Sequence, residues 1–327
     1  MIDGKMLKVS ASPHTRSKTT TKSIMLDVII AMIPSLVASV VIFGLRALLL
    51  TVVSVAACVF FEWAMRKFVL KKNCTVGDLS AVVTGMLLAF NVPSGLPIWM
   101  LVVGDAFAII IVKQCFGGIG QNFVNPAIAG RIFMLLSFGQ MMKWTQPLAG
   151  IMNLTGVEAL TGATPLVAAP EELPSMLDMF LGVRGGCLGE TCIAAILAGG
   201  LYLIARKVIR PLIPVSYILT VAVIMLIAGK GDFEYVARQL MSGGLCLGAI
   251  FMATDYTTSP INTKGKIIFG IGCGLFTCLI RLFGSLPEGV SYSIILMNVL
   301  TPLIERATTP KPFGTPKKEK KAKGETA

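Results

Sequence analysis

The sequence has little charge and lacks the residue patterns that build metal sites. Only 14% of its 327 residues are Asp, Glu, Lys or Arg, whereas an average soluble domain has about 25%. It contains one histidine, His14, and none of its eight cysteines forms a Cys-x-x-Cys pair. The first absence excludes an ordinary soluble domain. The second argues against a metal centre, an iron–sulfur motif and a disulfide framework.

The composition that remains is that of a membrane protein. Hydrophobic residues make up 54% of the chain, and the mean hydropathy is +0.78. The formal net charge of +12 comes from Lys and Arg at the ends of apolar runs and near the C-terminus. This distribution is typical of basic cytoplasmic segments, so we expect no nucleic-acid binding.

Apolar runs of a length suited to transmembrane helices recur along the chain. They lie near 24–43, 46–65, 78–92, 96–114, 124–139, 187–205, 211–229, 240–254, 265–283 and 289–305. The short runs are broken by Gly, Pro or Asn, which is typical of half-helices or tilted helices that line a cavity. The sequence therefore predicts an all-α integral membrane protein with about ten transmembrane helices in a channel-like frame.

Charge predicts the orientation of these spans. With both termini on one side, most of the 29 Lys and Arg residues fall on that side. Because cytoplasmic loops are rich in Lys and Arg, both termini are predicted to be cytoplasmic. The segment 140–186 then forms an outer loop, while 1–23 and the basic segment 307–327 form cytoplasmic tails. The basic tail is suited to contact with anionic lipid or with another protein of the same assembly.

Two stretches of the chain resemble each other. GMLLAFN at 85–91 precedes a linker, an apolar run and FGG at 116–118; GAIFMAT at 248–254 precedes a similar linker, an apolar run and FGS at 283–285. This predicts two five-helix repeats, 24–139 and 187–306. An odd number of spans in each repeat makes the two inverted relative to each other. Two unrelated five-helix stretches remain the alternative.

The outer loop contains a short run of small residues around two threonines. Thr161, Gly162, Ala163 and Thr164 follow Glu158 after two spacer residues. The small side chains leave room around the hydroxyl of Thr164, and Gly162 permits a tight backbone turn. The run therefore indicates an attachment point for a group carried on a hydroxyl. An ordinary surface turn is the alternative, since Thr, Gly and Pro are common loop residues.

Several motifs together resemble one family of membrane redox proteins. They are SASPH at 10–14, LLAFNVP at 87–93, FGGIGQNFVNPA at 116–127, TGATPL at 161–166 and FMATD at 251–255. This set, which covers nearly the whole chain, is similar to the RnfD/NqrB family of ion-pumping redox complexes. The short tail before the first span favours the RnfD branch.

The resemblance implies a function, cofactors and partners. The chain would be the D subunit of a six-subunit prokaryotic cell-membrane complex (A, B, C, D, E and G) that moves electrons between ferredoxin and NAD and transports Na⁺ or H⁺. It would relay electrons between partner subunits and would not be active alone. Thr164 would carry FMN through a phosphoester, attached by a flavin transferase. A second, non-covalent flavin (riboflavin) would lie among the helices.

Charged residues within the predicted spans are further candidates. Asp105 interrupts the fourth span, Arg131 the fifth, and Asp27 lies in the first turn of the first span. A charge at membrane depth is costly unless it is paired or solvated, so Asp105 and Asp27 are candidates for the ion pathway. A structural Asp–Arg pair that locks two helices is the alternative.

Polar residues near the fifth span and in the outer loop are candidates for cofactor binding. Asn122 and Asn125 precede Pro126 at the start of a predicted helix, where a polar or anionic ligand is favoured. Helix capping, with Pro in the first turn, is the alternative. Arg131 and Arg184 are the cations best placed for the FMN phosphate, although Arg184 also fits a charge on the loop surface.

A second function from another class also fits this pattern. Inverted repeats with short, broken helices occur in solute channels and transporters. A channel of that kind predicts solute transport by the chain alone and no bound chromophore.

Overall fold

The computed structural model describes residues 19–139, 174–284 and 289–310. Within these residues the chain forms helices and no strand. The helices are α1 (Thr21–Phe43), α2 (Leu45–Ala64), α3 (Ser80–Phe90), α4 (Ile98–Ala106), α5 (Pro126–Ser137), α6 (Met176–Leu181), α7 (Ile193–Ala205), α8 (Leu212–Ala228), α9 (Phe233–Met241), α10 (Leu245–Leu247), α11 (Thr263–Phe283) and α12 (Val290–Thr308).

Three helices continue without a break into wider π-helical turns. The π-helical segments are Met65–Val69 after α2, Phe107–Gln114 after α4 and Gly248–Met252 after α10. A one-turn 3₁₀ helix, Val76–Asp78, precedes α3. Because π-helical turns are rare and concentrate at functional sites, their positions are informative.

Length and apolar composition identify the helices that can cross a membrane. Thr21–Phe43, Leu45–Val69 and Thr263–Phe283 are long and apolar enough to do so. Ser80–Phe90, Pro126–Ser137, Ile193–Ala205 and Leu212–Ala228 are shorter apolar helices. The prediction of an all-α integral membrane protein is confirmed. The number of ten spans and their division into two repeats stay predictions.

The distribution of side chains fits a lipid environment. Large apolar residues such as Val37, Val41 and Leu219 are exposed on the outer faces of the helices. Small polar residues such as Ser54 and Ser293 are buried between helices. Since lipid tails solvate apolar groups, a membrane protein needs to enclose its polar groups and its close helix contacts.

The helices define two ends of the molecule. At the proximal end, where α1 begins, Asp27 pairs with Arg206 after α7, and the backbone N–H of Ile261 donates to Glu305 near the end of α12. At the distal end, Arg46 at the start of α2 donates to the carbonyls of Ser94 and Leu96. The bundle thus has both described chain ends at one side.

The segment before α7 pairs with the end of α3 at the distal end. The N–H of Leu188 donates to the carbonyl of Val92 at 3.0 Å, and the N–H of Gly189 donates to that of Phe90 at 2.9 Å. A Cβ at position 189 would lie 2.3 Å from the Cβ of Phe90, so the backbones meet only because this residue is glycine. Main-chain contacts therefore join the first and second parts of the chain.

The predicted flavin attachment site lies outside the described residues. This holds for Glu158, Thr161, Gly162, Ala163 and Thr164, and for most of the outer loop that contains them. The two predicted tails also lie largely outside the described residues. These assignments therefore stay predictions.

Candidate functional site

A solvent-open cavity lies at the proximal end of the bundle, with about 760 Å³ of empty space when the open solvent at its mouth is included. Its walls come from α1, α3, α7 and the π-helical segment after α10, and its rim from the loop before α5 and the turn after Met252. The apolar part of the lining includes Met25, Val28, Val83, Leu87, Leu203, Val208, Ile209 and Phe251. The polar part consists of Ser80, Thr84, Lys113, Asn122, Asn125, Thr254, Asp255 and Thr257. An apolar wall interrupted by polar side chains is typical of a small-molecule site.

The loop before α5 places two asparagines on the cavity. Asn125 caps α5: its side-chain oxygen accepts from the N–H groups of Ala127 and Ile128, and Pro126 occupies the first turn. Its amide also donates to the carbonyl of Met252. The capping interpretation of Asn125 is therefore confirmed, and the same side chain ties α5 to the π-helical segment across the cavity.

Asn122 connects the same loop to the turn after Met252. Its amide donates to the carbonyl of Val124 at 3.0 Å and to the hydroxyl of Thr257 at 3.1 Å. Thr257 in turn donates to the carboxylate of Asp255. Burial raises the pKa of the Asp255 carboxyl above its ordinary value, and the hydrogen bonds from Thr257 offset part of this effect. One rim of the cavity is therefore a hydrogen-bonded polar chain.

The opposite rim holds a buried ion pair. The Lys113 ammonium, on the π-helical segment after α4, lies 2.7 Å from the Glu62 carboxylate on α2 and 2.6 Å from the Ser80 hydroxyl on α3. Both members of the pair are almost fully enclosed, with side-chain exposures of 4% and 1%. Neither Lys113 nor Glu62 was singled out from the sequence. The one available signal is that Glu62 is the only acidic residue in the run 46–65.

A glycine-rich loop closes the proximal surface next to this ion pair. Gly117 and Gly118 have φ values of +118° and +100°, which residues with a Cβ rarely adopt. Arg66 holds the loop by donating to the side-chain oxygen of Gln114 and to the carbonyl of Gly117. A Cβ at position 118 would lie 2.3 Å from the guanidinium of Arg66. The absence of a side chain at Gly118 therefore leaves the space that the guanidinium of Arg66 occupies next to the loop.

Arg131 lies in a buried polar cluster at the distal end. From α5 it donates to the side-chain oxygen of Asn91 at 3.2 Å and to the hydroxyl of Ser291 at 2.8 Å. It also approaches the sulfur of Cys187. The guanidinium therefore joins three parts of the chain: the end of α3, the start of α12 and the segment before α7.

Arg184 is directed toward the same segment before α7. It is 3% exposed and donates to the carbonyls of Glu190 and Thr191. The alternative that Arg184 is a charge on the loop surface is wrong, because the segment folds over its guanidinium. The structure thus brings Arg131 and Arg184 to one short segment, whereas Asn122 and Asn125 lie at the other end of the molecule.

The two candidate acids for the ion pathway have different surroundings. Asp105 is fully buried, and its Oδ1 accepts from the hydroxyl of Ser54 and the thiol of Cys58. Asp27 is half-buried at the proximal end, where it accepts from the hydroxyl of Tyr202 and pairs with Arg206. The Asp–Arg alternative therefore fits Asp27 but is wrong for Asp105, whose described partners are neutral.

A known protein family matches nearly the whole chain. The profile of the NQR2, RnfD, RnfE family matches residues 8–314. The chain belongs to this family. The matched range contains every residue that lines the proximal cavity, and Arg131, Arg184 and Asp105 as well.

Curated relatives match over almost their full length. The chain is 50% identical to the D subunit of the Na⁺-translocating ferredoxin:NAD⁺ oxidoreductase complex of Acetobacterium woodii, over 97% of this chain and 98% of the relative. It is 40% identical to the D subunit of the proton-translocating complex of Clostridium ljungdahlii, over 96% and 98%. It is 37% identical to the D subunit of the ion-translocating oxidoreductase complex of Stutzerimonas stutzeri, over 91% and 93%. A relative whose name specifies Na⁺ translocation and one whose name specifies proton translocation therefore both align with almost the whole chain.

Proposed function

We propose that the chain is the membrane-embedded D subunit of an ion-translocating ferredoxin:NAD⁺ oxidoreductase complex, in which it relays electrons between partner subunits. The observation that carries this proposal is the 50% identity to such a protein over 97% of the chain. The enclosed polar groups and apolar exterior support a place within the membrane. On this proposal the proximal end faces the cytoplasm, and the partners in the complex are the A, B, C, E and G subunits.

The first part of the proposal is a covalent flavin on the outer side. Thr164 carries FMN through its phosphate, in the small-residue setting of Gly162 and Ala163. A phosphate diester keeps a negative charge, which a nearby guanidinium stabilises. Arg131 and Arg184 are the predicted cations for this phosphate, and in the described structure both are buried and bonded to neighbouring segments of the chain. A separate flavin transferase attaches the group during maturation.

The second part is a non-covalent riboflavin in the proximal cavity. The cavity is concave and combines apolar walls with polar side chains, as small-molecule sites do. The apolar walls suit the flat ring system, while the ammonium of Lys113 suits its polar edge, and Asn122 and Asn125 hold the rim in place. When bound, riboflavin would supply the electron-accepting and electron-donating chemistry at this end. The residues of the chain would bind and orient it and limit its contact with water.

Fluorescence under ultraviolet light tests the covalent flavin. The full chain is expressed together with a flavin transferase, denatured and separated on a gel. We expect a fluorescent band that is lost in Thr164→Ala and retained in Thr161→Ala, the matched threonine of the same loop. Mass spectrometry of the peptide containing Thr164 identifies the added FMN. A wild-type chain without fluorescence, or a flavin that survives Thr164→Ala, would overturn this part.

Extraction of the native protein tests the second flavin. Val28→Trp on α1 fills part of the cavity, whereas Val37→Trp on the same helix points to the exposed outer face. We expect the first variant to lose riboflavin and the second to retain it, with the covalent FMN unchanged in both. If the wild-type complex yields no riboflavin, or if the chain alone transports solute into liposomes, this interpretation of the cavity is wrong.

A further inference from the structure

The buried pair of Lys113 and Glu62 is part of a longer hydrogen-bonded chain. The hydroxyl of Thr75 donates to one carboxylate oxygen of Glu62 at 2.6 Å, and the ammonium of Lys113 donates to the other at 2.7 Å. Lys113 also donates to Ser80, which donates to the carboxylate of Asp78 at 2.6 Å. Every link in this chain is short enough for a proton to pass along it.

The chain has one end in the cavity and the other at the protein surface. Thr75 and Asp78 are half-exposed in the segment between α2 and α3, whereas Glu62, Lys113 and Ser80 are buried. An ammonium group has three N–H bonds, and two of them are directed to Glu62 and Ser80. Among the described residues no partner is seen for the third, and Lys113 forms part of the cavity wall. A buried lysine is therefore presented to whatever occupies the cavity.

A buried ion pair of this kind gives little stability. The cost of removing two charges from water offsets most of their attraction, and apolar replacements of the same size are often equally stable. A purely structural role could be filled by apolar side chains. The position of Lys113 between a surface-connected carboxylate and a cavity instead points to a role that requires exchangeable protons.

We propose that Thr75, Glu62 and Lys113 form a proton link between the proximal surface and the cavity. This proton link rests on the second-flavin part of the proposed function, since a flavin that gains electrons also takes up protons. Lys113 would supply a proton to the flavin bound in the cavity. Water then protonates Glu62 through the hydroxyl of Thr75, which accepts one proton and donates its own. Glu62 returns that proton to Lys113, so the pair regains its ammonium and carboxylate and the net transfer is one proton from the medium.

Two other charged groups near the pair have different roles. Asp78 ends the side branch through Ser80 and stays on the surface. Asp255 lies on the opposite rim, where burial raises the pKa of its carboxyl and the charge of Lys113 offsets only the smallest part of this effect. The link predicts that Thr75 and Glu62, rather than the second branch through Ser80 and Asp78, set the rate of proton uptake.

Proton uptake after a light flash tests the link directly. The full chain is made without flavin transferase, placed in lipid nanodiscs and loaded with riboflavin, so that one flavin is present. The flavin is reduced by a laser flash with a sacrificial electron donor, and a pH-indicator dye follows protons taken from the medium. We expect uptake to slow by at least about tenfold in Glu62→Gln, as for the loss of other positioned acid–base groups.

Thr75 provides a matched pair of variants that leaves the buried charges in place. We expect Thr75→Val, which keeps the size but removes the hydroxyl, to slow proton uptake several-fold, and Thr75→Ser to match the wild type. A second measurement is the infrared difference spectrum on reduction, where the carboxylate change expected for Glu62 should vanish in Glu62→Gln. Wild-type uptake rates in both Thr75→Val and Glu62→Gln would overturn the link.

The amount of bound riboflavin distinguishes a failure of the second-flavin site from a failure of the proton link. Each variant is checked for bound riboflavin and for its melting temperature before the flash experiment. If the wild type binds no riboflavin, both the second-flavin site and the link are wrong. If riboflavin is bound and proton uptake does not depend on Thr75 or Glu62, the site stands and only the link is overturned.

Discussion

The hydroxyl of Ser54 on α2 lies 2.6 Å from the carboxylate of Asp105 on α4, in a position that solvent does not reach. The same hydroxyl lies 2.9 Å from the carbonyl of Gly85 on α3. The second oxygen of Asp105 has no hydrogen-bond partner among the described residues. A carboxylate this enclosed is costly unless it holds a proton or a cation. The contact therefore makes Asp105 a specific candidate for ion coupling.

The first prediction concerns this carboxyl group. Asp105→Asn keeps the size of the side chain but cannot exchange a proton. In the intact complex we expect ion transport to fall by about tenfold or more, with the flavin content unchanged. Transport into proteoliposomes and flavin extraction provide the two measurements. Equal losses of assembly and transport would instead assign Asp105 a structural role.

The second prediction concerns the ion pair at the cavity. Lys113→Met alone leaves Glu62 buried without its cation, and the loss of one partner of a buried pair typically costs about 3–5 kcal/mol. The double variant Lys113→Met with Glu62→Gln removes both charges, so most of that stability should return. Thermal denaturation in detergent measures both variants. A double variant no more stable than Lys113→Met would show that the pair itself is required for folding.

The third prediction concerns the distal cluster. Arg131→Met keeps the length of the side chain but removes the donors to Asn91 and Ser291. Hydrogen bonds from charged groups contribute about 1.5–3 kcal/mol each, so the melting temperature should fall markedly. Arg306→Met, on an exposed position at the end of α12, is the control and should melt near the wild type. Similar melting temperatures for the two variants would contradict this account of the cluster.

The fourth prediction concerns the contact between α2 and α3. A Cβ at position 85 would lie 2.8 Å from the Cα of Val55 and 2.9 Å from the carbonyl oxygen of Ser54. Gly85→Ala therefore forces the two helices apart, at a cost of about 1–3 kcal/mol. Gly77→Ala is the matched control, because no atom lies within 4 Å of its added Cβ. The melting temperature should fall only for Gly85→Ala, and an equal response would show that the helices adjust freely.

Local patterns were sufficient to predict the membrane class and some helix ends. Apolar runs marked the long helices, and the Asn–Pro sequence marked the capped start of α5, because both signals depend on neighbouring residues. The ion pair of Lys113 and Glu62 joins positions 51 residues apart, and the bonds of Arg131 to Ser291 span 160 residues. Such contacts depend on how the helices pack, so no spacing rule in one sequence predicts them. Fold and family were thus predictable, while most side-chain partners were not.

The backbone pairing of Leu188 and Gly189 with Val92 and Phe90 has an evolutionary consequence. Every residue except proline carries the same main-chain donor and acceptor, so this junction survives substitutions that would break a side-chain contact. Position 188 needs its N–H, and position 189 has no space for a Cβ. Changes in the side chains at 90, 92 and 188, proline at 188 excepted, can therefore leave the relative placement of the two chain parts unchanged.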